Sequence, residues 1–169
     1  MKSRVIMLPV IVLITSLTIA LILVNSVSCW AAGDTYVWVS EDQTGTINKI
    51  GYFQQEERFT KIIATSSETS NYFDMSFGDK IISFENAGGL YGELGANSTN
   101  SKLNLLFGAG YIYENNKLLI LAGSKYYMGD QKVITEGQIF IKIVNPVILN
   151  VGYDTNSNSV FIGVGIKFQ

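Results

Sequence analysis

The last eleven residues of the chain, SVFIGVGIKFQ (Ser159 to Gln169), alternate with a period of two. In an extended strand Val160, Ile162, Val164, Ile166 and Phe168 fall on one face, and Phe161, Gly163, Gly165 and Lys167 on the other, because successive side chains point to opposite sides. The first face is apolar throughout; the second is small or charged apart from one ring. Such a strand suits a soluble sandwich or a barrel with lipid outside and a wet interior.

The same period recurs upstream. In SKLNLLFGAGYIYENN, Leu103, Leu105, Phe107, Ala109, Tyr111 and Tyr113 share one face and Lys102, Asn104, Leu106, Gly108, Gly110 and Ile112 the other. NKLLILAGSKYYMGD is less regular, and Lys117 and Lys125 identify its wet side. VITEGQIFIKIVNP sets Glu136, Gln138 and Lys142 against Val133, Ile139, Ile141 and Ile143, and VILNVGYDT sets Asn150 and Asp154 against Val147, Leu149, Val151 and Tyr153. With 16 Gly, only two Pro and 12% aromatic residues, the composition fits many strands and tight turns rather than long helices. Asn145-Pro146 leaves almost no loop, whereas DTNSN, GDQK and NSTNS are longer and polar, so the pattern is a meander of antiparallel hairpins.

The front half, Thr35 to Asn86, also has strand composition, in TYVWVS, TINKIGYFQQ, FTKIIATSS, NYFDMSF and KIISFEN, with a turn expected at Gly78-Asp79. Lys49 and Lys61 share faces with Ile47 and Phe53, and with Phe59 and Ile63. A lysine facing the middle of a bilayer costs about 2–4 kcal/mol, so the pattern calls for an interfacial position or a bulge that shifts the register. The expected fold is all-β: an antiparallel up-and-down meander of eight to ten strands closing into a barrel, preceded by an N-terminal signal helix.

Residues 1–32 begin with Lys2 and Arg4, continue through an uncharged apolar run from Val5 to Val24, and end with the small residues Ser26, Ser28, Ala31 and Ala32. This is the layout of an export signal, with the mature domain expected over 33–169; the run is also long enough for an uncleaved anchor. Cys29 is the only cysteine, so no intrachain disulfide forms. Without residues 1–32 the chain has ten basic against 14 acidic residues, which argues against a polyanionic partner such as nucleic acid.

No histidine occurs in the chain. That removes the commonest general base and metal ligand, and a lone thiol makes no metal site. The remaining route to catalysis is a carboxylate pair such as Glu93 with Glu136, which no spacing singles out. The expectation is a protein without enzymatic activity, metal or cofactor. NAGGLYGELGAN lacks the Lys-Ser/Thr ending and the following helix of a phosphate-binding loop and reads as a turn entering a strand. The residues expected to face the interior are Glu93, Lys102, Asn104, Lys125, Glu136, Gln138, Lys142, Asn150, Asp154 and Lys167. Tyr111, Tyr113, Tyr126, Tyr127, Tyr153 and Phe168 are expected to form girdles at the membrane interfaces.

The leader, the aromatic-rich meander and the ending VILNVGYDTNSNSVFIGVGIKF together resemble the small bacterial outer-membrane β-barrel proteins of the opacity-protein and outer-membrane-protein-X-like group. The resemblance covers roughly the last half of the chain. It implies residence in outer-membrane lipid, a structural or surface-interaction role with a surface partner left unnamed, and contact with the barrel-insertion machinery through a C-terminal signal matched by Gly163, Ile166 and Phe168. Gln169, after the final aromatic, and Phe161, where a polar residue is often found, depart from that pattern. The familiar outer-membrane enzymes use a histidine near the nucleophile or water, which this chain lacks. Two alternatives stay open on sequence alone: a narrow pore, and an exported soluble β-barrel or sandwich that binds a small apolar ligand or a protein.

Overall fold

The computed structural model describes residues 33–55, 58–67, 71–85, 87–99 and 102–168. The leader expected over residues 1–32 lies outside them. Ten strands follow in order: β1 (Asp34–Asp42), β2 (Ile47–Gln55), β3 (Arg58–Ser67), β4 (Asn71–Phe84), β5 (Gly88–Thr99), β6 (Lys102–Glu114), β7 (Leu118–Tyr127), β8 (Lys132–Val144), β9 (Val147–Asp154) and β10 (Ser159–Phe168). Each pairs antiparallel with its sequence neighbours, and β1 pairs with β10 from Thr35↔Phe168 to Asp42↔Phe161, so the sheet is a closed barrel. Closure leaves no edge strand, the feature an open sheet has to protect.

The registers do not close flat. Following paired residues around the wall returns to β1 displaced by about 12 residues, a stagger that tilts the strands by roughly 40°. At about 3.3 Å per residue, a tilted ten-residue strand rises roughly 25 Å. The connections are short, two or three residues at the near end, which carries Asp34 and Phe168, and two to four at the far end.

Alternation sorts the side chains. Phe77, Leu94, Leu105, Ile162 and Val164 point outward and are each more than half exposed, with Phe73, Phe107, Ile139 and Val160 among their exposed neighbours. Trp38, Phe53, Lys125, Phe140 and Phe161 point inward and are almost completely buried.

The structure corrects the front-half reading in two places. There is no turn at Gly78-Asp79: β4 runs unbroken through both residues, and the chain reverses after Phe84, where Gly88 takes φ 83°. Gly78 faces the interior, and a Cβ there would lie 2.0 Å from the Phe59 ring, so the glycine makes room for an aromatic instead of bending the backbone. Lys49 and Lys61 need neither an interfacial position nor a bulge. Their strands pair in continuous register, and the face they share with Phe53, Phe59 and Ile63 is the inner one.

Candidate functional site: the barrel lumen

The near half of the interior is aromatic. Phe140 on β8 meets Tyr36 and Trp38 of β1 at ring-centroid distances of 5.5 and 4.8 Å; Tyr36 continues to Phe53 of β2 at 6.2 Å, Phe53 to Phe59 of β3 at 5.6 Å, and Phe59 to Tyr91 of β5 at 4.9 Å with the planes at 86°. Tilted and edge-on contacts are the arrangements aromatic quadrupoles favour. Ile63, Ile112, Leu119, Leu121 and Ile148 complete this apolar cluster. Glycines create the space: a Cβ on Gly51 would lie 2.0 Å from the indole of Trp38.

Charges gather at the near mouth beside these rings. The Tyr36 hydroxyl donates to Glu114 of β6. Lys142 Nζ lies 2.9 Å from the same carboxylate and donates to the Asn115 carbonyl at 2.8 Å, while Lys167 pairs with Asp34 and stands 4.0 Å from Glu114. Both ammonium groups sit within 6 Å of the Tyr36 ring centroid, a cation–π distance. Beside this cluster, Asn116, Ile143, Val144, Pro146 and Val147 line an open cleft of about 300 Å³.

Farther in, the lumen is ionic. Lys61 of β3 reaches Glu136 of β8 at 2.5 Å and Glu93 of β5 at 3.3 Å; Glu136 also lies 3.1 Å from Lys125 of β7, which is 3.5 Å from Asp74 of β4. Ser76 donates to Glu93 at 2.6 Å and Tyr127 to Asp74 at 2.8 Å, and Asn97 also bonds Asp74. Buried ions persist only when paired and hydrogen-bonded, and here each carboxylate has both kinds of partner or two cations. Toward the far end Lys49 pairs with Asp154, its Nζ 3.7 Å from the centroid of Phe161. Asp42 and Asp154 also tie down the turns that follow them: Asp42 accepts from Thr46 N and Ile47 N, and Asp154 from Ser157 N and Oγ.

Of the ten residues expected inside, Glu93, Asn104, Lys125, Gln138, Asn150 and Asp154 are buried in the lumen, and Glu136, Lys142 and Lys167 are half-buried there. Lys102 is the exception. It is the first residue of β6 and is exposed. Tyr127 is not part of an outer girdle: it is buried, with its hydroxyl on Asp74. Gly163 faces inward against Ser40, whereas Ile166 and Phe168 point outward opposite Val37 and Thr35.

Sequence reasoning missed Lys49, Lys61, Asp74 and Glu114 and the whole aromatic layer. The signal was present in Lys49 and Lys61: a charge marks the inner face in β2 and β3 as it does in β7 and β8. Glu93 and Glu136, the carboxylates with any prospect of acid–base chemistry, are bridged by Lys61. Among the described residues no cluster of three or more potential ligands is arranged to hold a metal ion.

The fold defines a ten-stranded closed antiparallel β-barrel. No protein-family model matches the chain, and no curated protein matches it. Among solved structures it is similar to the de novo designed barrel TMB2.3 (solution NMR; 16% identity, 81% of this chain and 94% of that one, TM-score 0.38). A second similar structure, described as de novo design of transmembrane β-barrels, gives 18% identity, 80% and 93% coverage, and a TM-score of 0.34. OprB of Pseudomonas putida, in a low-pH structure, gives 14% identity and a TM-score of 0.34, covering 83% of this chain and 56% of OprB.

Proposed function

We propose that the chain is an integral outer-membrane β-barrel with a plugged lumen, serving as a membrane scaffold or contact surface rather than as a transporter or an enzyme. The observation that carries this reading is the outer wall. Phe77 on β4, Leu94 on β5, Leu105 on β6, and Ile162 and Val164 on β10 are each more than half exposed, in a barrel whose buried charges all turn inward. A soluble barrel has the reverse need, since a contiguous apolar surface of this extent favours association. In hydrocarbon the same wall is solvated, and closure pairs the backbone groups that lipid cannot satisfy. The rise of roughly 25 Å matches the apolar band of such barrels.

The contacts that cross the lumen, Tyr36 to Glu114 and Lys61 to Glu136, support a plugged interior. Far-end connections of two to four residues build no crown for a large ligand, which supports a scaffold or contact role. Lys61 ties both Glu93 and Glu136 as counter-ion, which speaks against these two carboxylates acting as an acid–base pair. The resemblance of the ending to the opacity-protein group adds Gly163, Ile166 and Phe168 as the signal presented to the insertion machinery.

Fractionation and planar-bilayer recording test the two halves of the reading. The mature protein should partition with outer membranes and resist carbonate extraction; release by carbonate would return it to the soluble alternative. Refolded protein should carry little or no current, and stable, large, ohmic channels would establish a pore instead.

A further inference from the structure

The cleft at the near mouth joins two kinds of residue that a regular strand sends to opposite sides of the wall. Here β8 carries a bulge: Lys142 pairs with Ile148 and Val144 with Val147, which leaves Ile143 as the extra residue between them. The β8–β9 hairpin is closed by two residues, and the Lys167 amide donates to the Pro146 carbonyl at 2.7 Å, which holds the end of β10 against it. The resulting cleft of about 300 Å³ is lined both by Lys142 and Lys167 and by the exposed Ile143, Val144 and Val147.

Lys142 and Lys167 are the only charged side chains among the described residues that line it. Their carboxylate partners, Asp34 on β1 and Glu114 on β6, stay outside the lining. An ammonium has three N–H donors. Lys142 gives one to Glu114 and one to the Asn115 carbonyl; Lys167 meets Asp34, and its 4.0 Å to Glu114 is too long for a hydrogen bond. One donor on Lys142 and two on Lys167 therefore remain, and Asn116 adds a side-chain amide to the lining. That set suits an anionic oxygen ligand. Because Asp34 and Glu114 already balance the two lysines, a single negative charge fits better than a multiple one, and the apolar residues call for a ligand with a hydrocarbon part.

We propose that the cleft binds the phosphodiester of one glycerophospholipid from the leaflet at the near end, with Lys142, Lys167 and Asn116 donating to phosphate oxygens and the upper acyl chain lying on Ile143, Val144 and Val147. The inference rests on the membrane reading above. Basic pockets at headgroup level are a recurrent mode of lipid recognition, and charge-assisted hydrogen bonds to phosphate are about twice as strong as neutral ones. The volume is at the lower end for small-molecule sites, so it holds a headgroup while the chains stay in the bilayer.

The test uses refolded full-length protein in phosphate-free maltoside micelles, methyl-labelled at Ile and Val and titrated with dihexanoyl phosphatidylglycerol. The Val144 and Val147 shifts should saturate, whereas Val160 and Ile162, exposed farther along β10, should only drift as lipid enters the micelle. Dihexanoylglycerol, which lacks the phosphate, and inorganic phosphate, which lacks the chains, should each bind about tenfold more weakly or worse, the loss expected for one charge-assisted contact. Lys167→Gln should weaken phosphatidylglycerol binding by a similar factor. So should Asn116→Glu, which places a carboxylate in the lining without touching either lysine's ion pairs, in a barrel that keeps its heat-modifiable migration. Equal affinity for dihexanoylglycerol would mean that no phosphate is read, and equal affinity for inorganic phosphate would make this a free-anion site. Either result, unchanged affinity in either folded variant, or a titration without saturation would overturn the proposal. Carbonate extraction reads the membrane assignment separately, so a barrel retained in the membrane that binds no lipid here loses this site and not that reading.

Discussion

Lys61 on β3 and Glu136 on β8 stand five strands apart in either direction around a ten-stranded wall, and their Nζ and Oε1 atoms meet at 2.5 Å. Tyr36 on β1 and Glu114 on β6 form a second such contact nearer the chain termini. Two side chains are therefore long enough to span the interior at both of these levels.

Lys61 holds two carboxylates at once, which makes its removal costlier than that of a simple pair. Lys61→Met leaves Glu136 with Lys125 as its remaining ion-pair partner and takes from Glu93 its Lys61 partner, and should destabilise by about 3–5 kcal/mol, the range for breaking a buried ion pair from one side. Glu136→Gln should cost a comparable amount by removing the carboxylate between Lys61 and Lys125, which then keep only the longer contacts to Glu93 and Asp74. In urea unfolding of the refolded protein, the double variant should lose less than the sum of the two; strict additivity would mean that the pair is not coupled.

Sidedness along β10 can be read from three substitutions. Ile162→Lys and Val164→Lys each place a charge on the outer wall and should impair assembly by about 2–4 kcal/mol. Lys167→Gln should be mild, because its partner Asp34 is the partly exposed first residue of β1, which water can solvate, and Lys142 still neutralises Glu114. Heat-modifiable migration of membrane-extracted protein reports folding, and equal tolerance at all three positions would contradict a lipid-facing wall.

Two glycines on opposite faces should respond in opposite senses. Gly51→Ala drives a methyl into the Trp38 ring and should cost about 1–3 kcal/mol, the usual range for overpacking. Gly137 faces outward, and a Cβ there comes no closer than 4.0 Å to its first neighbour. Gly137→Ala should be neutral or stabilising by up to about 1 kcal/mol, since it removes backbone freedom from the unfolded chain. Unfolding midpoints compare the pair directly.

The export reading makes a simple prediction for the mature protein. Its first residue should fall between Cys29 and Gly33, immediately before β1, as judged by N-terminal sequencing or intact mass. Retention of Met1 or Lys2 would indicate an anchored domain.

Much of the wall was legible in the chain because strand alternation depends only on neighbours in sequence. The back half alternates cleanly, and β6, β8, β9 and β10 fall close to where the period places them. The lumen was harder to read. Tyr36, Phe53, Phe59 and Phe140 share faces with aspartates, lysines or a glutamate, and in a chain with so many apolar residues nothing local distinguishes a ring bound for lipid from one bound for the core. The partners that decide it lie on distant strands. Gly78 misled for a related reason: next to an aspartate it has the composition of a turn, and only the ring of Phe59 across the ladder explains it.

The lumen-crossing contacts also constrain how the barrel comes together. Nine of its ten ladders join strands adjacent in sequence, whereas Tyr36 and Glu114 are separated by 78 residues and Lys61 and Glu136 by 75. Hairpins can zip up locally, but an unclosed sheet holds Lys61, Lys125, Glu93 and Glu136 on an uncovered inner face and leaves β1 and β10 as raw edges. Bringing β10 onto β1 removes both penalties in one step. Wall closure and completion of the core are then a single event, so a half-closed barrel has no settled interior in which to rest.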